Sequence, residues 1–204
     1  MLGVDPQVIV HRLNVSPKIK LVKQKKEGLL HRSWKPLDRR EVAYPDCVSN
    51  VVTVKKANGK WRMNINFTNL NKACLKDSFS FPSINRMVDA SLSHKFMNFI
   101  DSFSSFNQIS MAPENQDKIT FVTEEGLLCY RVMSFELKNA GATNMRLVNK
   151  ILESKVTVLR GHIQDLSETF TFLRAHNMKL NPKKCAFEQI LRLPGFKKGY
   201  KSEP

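Results

Sequence analysis

Residues 50–66 read NVVTVKKANGKWRMNIN, two runs of β-favouring residues around Asn58-Gly59, a dipeptide suited to a turn with positive φ. A two-residue loop at Asn58-Gly59 would set Lys56 opposite Trp61, Lys55 opposite Arg62, Val54 opposite Met63 and Val52 opposite Ile65. Alternation along each strand would then gather Val52, Val54, Met63 and Ile65 on an apolar face, with Lys55, Lys60 and Arg62 on the other. Like charges facing each other across a ladder are destabilising. Such an arrangement makes sense where an anion lies over it, for instance a triphosphate held by Lys as a point charge and by Arg as a fork. The plainer reading is a solvated basic face.

Downstream, FMNFID (96–101) is a short apolar strand that ends in an acid, and ITFVT and LLCYRVM flank Glu124-Glu125-Gly126 as a second hairpin. Helical period appears over 140–154, with Leu147, Val148, Ile151 and Leu152 on one stripe, and again over 162–176, where Ile163, Leu166, Phe170 and Leu173 recur. MKLNPKKCAF (178–187) suits an edge strand. Upstream, residues 1–22 read as an extended arm, and the basic stretch 23–43 shows no period. Strands and helices are interspersed without βαβ alternation, which predicts an α+β fold.

The 204 residues carry 33 Lys and Arg against 18 Asp and Glu, a formal charge of +15. A charge that large points to an anionic partner, most often a nucleic acid backbone. At 42% hydrophobic residues the chain can bury a core. Cys47, Cys74, Cys129 and Cys185 form no Cys-x-x-Cys pair, which argues against a zinc finger or a disulfide framework and suits a reducing compartment. No apolar run approaches a membrane span, and MLGVDPQVIVHRL lacks the apolar stretch of a signal peptide, so an intracellular, non-secreted protein is expected.

Asp101, at a strand end, is where a polymerase would mount a metal-binding carboxylate, because two-metal phosphoryl transfer needs rigid oxygen ligands. Capping of the following segment explains a single Asp equally well. A metal site needs further acids nearby. The adjacent pair Glu124-Glu125 lies in a turn, and the acids past residue 150 (Glu153, Asp165, Glu168, Glu188 and Glu203) form no pair.

Three segments resemble the reverse transcriptase domain of gypsy-type LTR retrotransposon Pol polyproteins. NVVTVKKANGKWRMNINFTNLNKACLKDSF (50–79) is similar to its fingers and early palm. HKFMNFIDSFSSFNQISMAPENQDKITFVTEEGLLCYRVMSFELKNAGATNMRLVNKI (94–151) resembles the palm, and HIQDLSETFTFLRAHNMKLNPKKCAF (162–187) looks like the segment after the second catalytic motif. The likeness is co-linear and covers most of residues 1–26 and 44–187. It implies a fingers-and-palm fold: an N-terminal arm and altered basic segment (1–43), a fingers-like hairpin region (44–93), a palm-like region (94–187) and a divergent basic tail (188–204). It also implies RNA-directed DNA polymerase chemistry with Mg²⁺, an RNA or DNA template-primer and dNTP. By the resemblance, Asp101 binds metal, Lys55 and Arg62 contact the triphosphate, and Phe106 screens the sugar of the incoming nucleotide. Phe135, Lys138, Asn139 and Gly141 fall in the motif FELKNAGAT (135–143), which packs against template and incoming base.

The departures are specific. The family carries a Tyr-x-Asp-Asp turn between the LVNK helix and the HIQDLSETF helix; here only ILESKVTVLRG (151–161) intervenes, and it contains no Asp. The palm sheet is therefore expected to be incomplete and the enzyme inactive. Asn66 and Asn85 stand where the family has Asp. Leu75, Ser134 and Glu136 replace Pro, Pro and Gly, and Ser105 replaces Gly. Thumb, RNase H and integrase regions have no counterpart in these residues. Two further readings stand beside the inactive polymerase: a non-catalytic basic nucleic-acid-binding protein, and a relic without selected function.

Overall fold

Strands β3 (Asn50–Lys55) and β4 (Trp61–Asn66) form the expected antiparallel hairpin, one residue out of the expected register. Val51 pairs with Ile65, Thr53 with Met63, Val54 with Arg62 and Lys55 with Trp61, leaving positions 56–60 between the last paired residues. Burial decides this. Val51 and Ile65 are buried, and the strand runs straight on into Phe67, which is 1% exposed. A ladder that buries Val51 with Ile65 cannot also bury Val52, because a one-residue slip reverses every side chain. Val52 and Val54 accordingly stand exposed. The predicted Val52, Val54, Met63, Ile65 face is thus corrected. Gly59 does sit at φ 76°, so the turn still draws on glycine.

The computed structural model describes residues 3–24, 39–55, 57, 59, 61–91, 96–124, 126–152 and 162–189. Residues 153–161 of the link between the two helices and the charged turn residue Glu125 lie outside these residues, as do most of the basic stretch 23–43 and the basic tail beyond 189. Contacts divide the chain into two units: Met1–Phe81 with Ser102–Lys179, and Pro82–Asp101 with Leu180–Pro204.

The first unit holds three small sheets. β1 (Val10–His11) pairs in parallel with β6 (Ser110–Met111). β2 (Arg39–Glu41), β8 (Leu127–Tyr130) and β7 (Thr120–Val122) form an antiparallel sheet in the order β2-β8-β7. The third is β3–β4, tied to β7 where the Ser49 amide donates to the Thr120 carbonyl at 2.8 Å. Helix α1 (Thr68–Ala73) follows β4 directly and buries Leu70 and Ala73. A short α3 (Pro113–Gln116) begins with Pro at its first turn. Helix α4 (Ala140–Leu152) buries Thr143, Leu147 and Ile151, spaced four apart on one face, and packs against β1 and the 3₁₀ turn Ser105–Gln108. In α5 (His162–Ala175), Leu173 is buried, whereas Phe170 remains 37% exposed. Phe67, Phe121, Leu70, Ile109, Ile119, Met133 and Leu147 make the core, each worth about 1.5–3 kcal/mol of burial.

The second unit holds α2 (Ile84–Ser91) and the antiparallel pair of β5 (Phe96–Phe99) with β9 (Ala186–Gln189). The strand expected across 178–187 starts only at Ala186. The amides of Lys184 and Cys185 both return to the Asn181 carbonyl, at 3.0 and 3.1 Å, so 181–185 closes as a turn around Pro182. Mixed strands and helices make the fold α+β, as expected. Among the described residues, no helix is long and apolar enough to cross a membrane.

Candidate functional site

The turn after β5 is fixed by one buried amide. Gln108, 3% exposed, donates through Nε2 to the carbonyls of Phe103 (2.6 Å) and Lys179 (3.0 Å), while its Oε1 accepts from the Lys179 amide (2.7 Å). A buried carboxamide with its partners met is rigid, since losing any one strands a desolvated polar group. Beneath it, the Val4 amide donates to the Gln108 carbonyl at 2.8 Å. The backbone comes so close at Gly3 that a Cβ there would lie 2.4 Å from the Gln108 oxygen. This turn presents Phe106, whose ring meets that of Phe135 edge-on, 5.1 Å between centroids and 87° between planes. Phe135 is 65% exposed, an apolar ring held out in solvent.

A polar network joins the segment after Phe135 to β4, α1 and the chain that leaves α1. Asn64, two residues past Arg62 on β4, donates to the Glu136 carboxylate. Asn71 gives its Nδ2 to the Glu136 carbonyl (2.8 Å), and its Oδ1 accepts from the Lys138 amide (2.7 Å). The Lys138 ammonium reaches the carbonyls of Asn71 (3.0 Å) and Cys74 (2.6 Å), closing the C-terminal end of α1. Asn139, at φ 67° just before α4, bonds Leu75 and Asp77 through both ends of its amide (2.9 Å each). Arg146 then grips Asp77 with two bonds of 2.6 and 2.7 Å and lies 5.0 Å above the Phe79 ring. The guanidinium holds the Asp77 carboxyl below its usual range, and Asp77 in turn raises Arg146.

These contacts bring most of the predicted residues onto one unit. Phe106 and Phe135 touch, and the Asn64–Glu136 bond brings β4 alongside them. Lys55 is exposed at the end of β3. The expected opposition of Lys55 and Arg62 is corrected: they occupy successive rungs, paired with Trp61 and Val54, and successive rungs belong to opposite faces of a ladder. The like-charge penalty argued from that opposition falls with it. Lys138 and Asn139 use their side chains inside the protein. Gly141 packs 3.5 Å from the Phe81 ring if given a Cβ, ordinary contact distance. Sequence reasoning missed Asn71, Asn64, Gln108 and the Asp77–Arg146 pair. No spacing rule marks them, since each acts across 64 or more residues except the Gln108–Phe103 bond.

Asp101 belongs to the second unit, where its carboxylate, 44% exposed, meets the Asn181 amide at 3.4 Å and the Lys184 ammonium at 4.0 Å. Its backbone carbonyl accepts from the Asn181 amide at 2.8 Å. Mg²⁺, which the resemblance implies, does not fit this donor set. A hard dication wants several oxygen ligands, and Asp101 offers one carboxylate next to an amide donor and a cation. Among the described residues no cluster of three or more acid, His or Cys side chains could hold a metal.

A family profile described as reverse transcriptase (RNA-dependent DNA polymerase) matches residues 54–158. The Retrovirus-related Pol polyproteins from transposons 412 and 297 of Drosophila melanogaster are 28% and 29% identical over 143 residues, 63% of this chain. This chain spans 12% and 14% of their lengths. The foamy viral protease-reverse transcriptase in complex with RNA/DNA hybrid superposes with a TM-score of 0.75 at 14% identity, covering 91% of this chain and 28% of that one, a likeness of fold.

Proposed function

The chain belongs to the reverse transcriptase family, and on that premise we propose that it is a retrotransposon polymerase domain that binds nucleic acid and nucleotide but no longer joins them. The loss rests on one observation: Asp101 faces Asn181 and Lys184 rather than further carboxylates. The 11 residues 151–161 that replace the acidic turn supply no Asp. Lys55 and Arg62, on opposite faces of the β3–β4 ladder, are proposed as phosphate contacts on the family resemblance alone. The Phe106–Phe135 pair is the proposed surface for the sugar and base of an incoming nucleotide, and the start of α4, with Gly141, borders the template. Lys138 and Asn139 act as positioning residues, holding α1 and the chain after it so that Phe135 projects.

In relatives that polymerise, metal ions supply charge neutralisation and alignment of the attacking oxygen. Here the residues left can bind and orient. A lone, half-exposed carboxylate beside an ammonium cannot assemble that alignment, and each 1.36 kcal/mol of lost stabilisation is about tenfold in rate. Extension of an RNA–DNA template-primer by the full chain should equal that of Asp101→Ala, and extension above that control refutes the proposal. The charge of +15 favours a second reading, a non-catalytic binder of nucleic acid backbones. Its sign is affinity for an RNA–DNA duplex that falls steeply with salt. Four free cysteines, three of them buried with thiols raised above their usual range, suit an intracellular protein.

A further inference from the structure

The first unit carries a cleft of about 450 Å³ between β1, the chain after α1 and the first turns of α4. Phe106, Phe135, Lys55 and Arg62 take no part in it. Its walls differ in character. Ile9 and Val10 are apolar, whereas Arg12, Lys76 and Arg146 are cationic. The acids nearby are already engaged: Asp77 by the two bonds from Arg146, and Glu114 by Arg12. Lys76 is exposed and forms no ion pair among the described residues. One turn further along α4, Lys150 extends the basic edge, its ammonium on the Val8 carbonyl at 3.0 Å.

We infer that this cleft holds a nucleotide unit, its phosphate against Lys76 and Arg12 and its sugar or base against Ile9 and Val10. Three cations against two paired carboxylates, Asp77 and Glu114, leave one net positive charge, at Lys76, with the Arg12 guanidinium beside it to share a phosphate. A bare phosphate would leave most of the volume empty, whereas one nucleotide fills a cleft within the usual range for small-molecule sites, about 300–1,000 Å³. The same chemistry is offered by a free nucleoside monophosphate and by one residue of a single strand lying along α4. This goes beyond the polymerase reading and does not depend on Asp101.

Binding by the full chain of a fluorescent oligothymidylate, with adenosine 5′-monophosphate and inorganic phosphate as competitors, tests it. Lys76→Gln and Arg12→Gln should each weaken oligothymidylate and monophosphate about tenfold, and Asp101→Ala should bind as wild type. The surface control Lys20→Gln should change neither. Monophosphate should shift the Ile9 methyl resonances. If both probes compete, the cleft takes a strand; if monophosphate binds without displacing the oligomer, it takes the free nucleotide. Equal weakening by Lys20→Gln, unchanged binding by Lys76→Gln and Arg12→Gln, or monophosphate no better than inorganic phosphate overturns the inference.

Discussion

Acidification should destabilise this protein through the buried imidazole of His11. His11 is fully buried on β1, its Nδ1 2.8 Å from the Thr143 hydroxyl, and its Nε2 has no hydrogen-bond partner among the described residues. Burial lowers its pKa from 6.5 to about 4. Between those values the unfolded chain binds a proton that the folded protein refuses. The contribution is therefore complete above the unfolded value and is lost as pH falls toward the folded one. The arithmetic gives a loss of about 2 kcal/mol at pH 5 and about 3 kcal/mol at pH 4, a sizeable share of a domain's stability. Asp77, held below its usual range by Arg146, titrates beneath this window and does not mimic the effect. Urea unfolding at pH 7, 6, 5 and 4 would read the loss, alongside His11→Gln, which keeps a polar group near Thr143 but cannot charge. The variant's stability should be nearly flat from pH 7 to 5. A wild-type loss no larger than the variant's over that interval would falsify the assignment, as would an NMR titration of His11 with a midpoint near 6.5.

Two substitutions probe the framework around the aromatic pair. Lys138→Met keeps the stem but leaves the carbonyls of Asn71 and Cys74 without their ammonium; a cost of about 1–3 kcal/mol is expected, read by urea unfolding, and no measurable change would mean that water caps α1 as well. Gly3→Ala forces a Cβ to within 2.4 Å of the Gln108 carbonyl; the backbone must move, and a drop of several degrees in Tm by calorimetry is expected, with an unchanged Tm showing that the arm is loosely held.

Local pattern carried a good part of the fold. The apolar stripe of α4, and the β-rich runs that flank Glu124-Glu125-Gly126 and become β7 and β8, lie within single short segments, so local pattern finds them. α1 and α2 escaped notice for the opposite reason. TNLNKA owes its helix to Leu70, Ala73 and a long-range cap from Lys138, and INRMVDAS is only eight residues long. The hairpin shows where a local rule stops short: Asn58-Gly59 suggests a two-residue turn, but the register follows burial of Val51 and Ile65 against the rest of the unit. At the candidate site, Phe106 and Phe135 could be named from the chain, whereas their contact could not. Gln108, which presents Phe106, is bonded 71 residues away at Lys179, and no sequence period reports that distance.

The bond from Asn64 to Glu136 also bears on how such a chain can change. At position 136, where the resemblance implies glycine, a carboxylate ties β4 to the segment before α4. A glycine at 136 would take away the acceptor of the Asn64 amide, so the two segments would lose the side-chain bond that now holds them side by side.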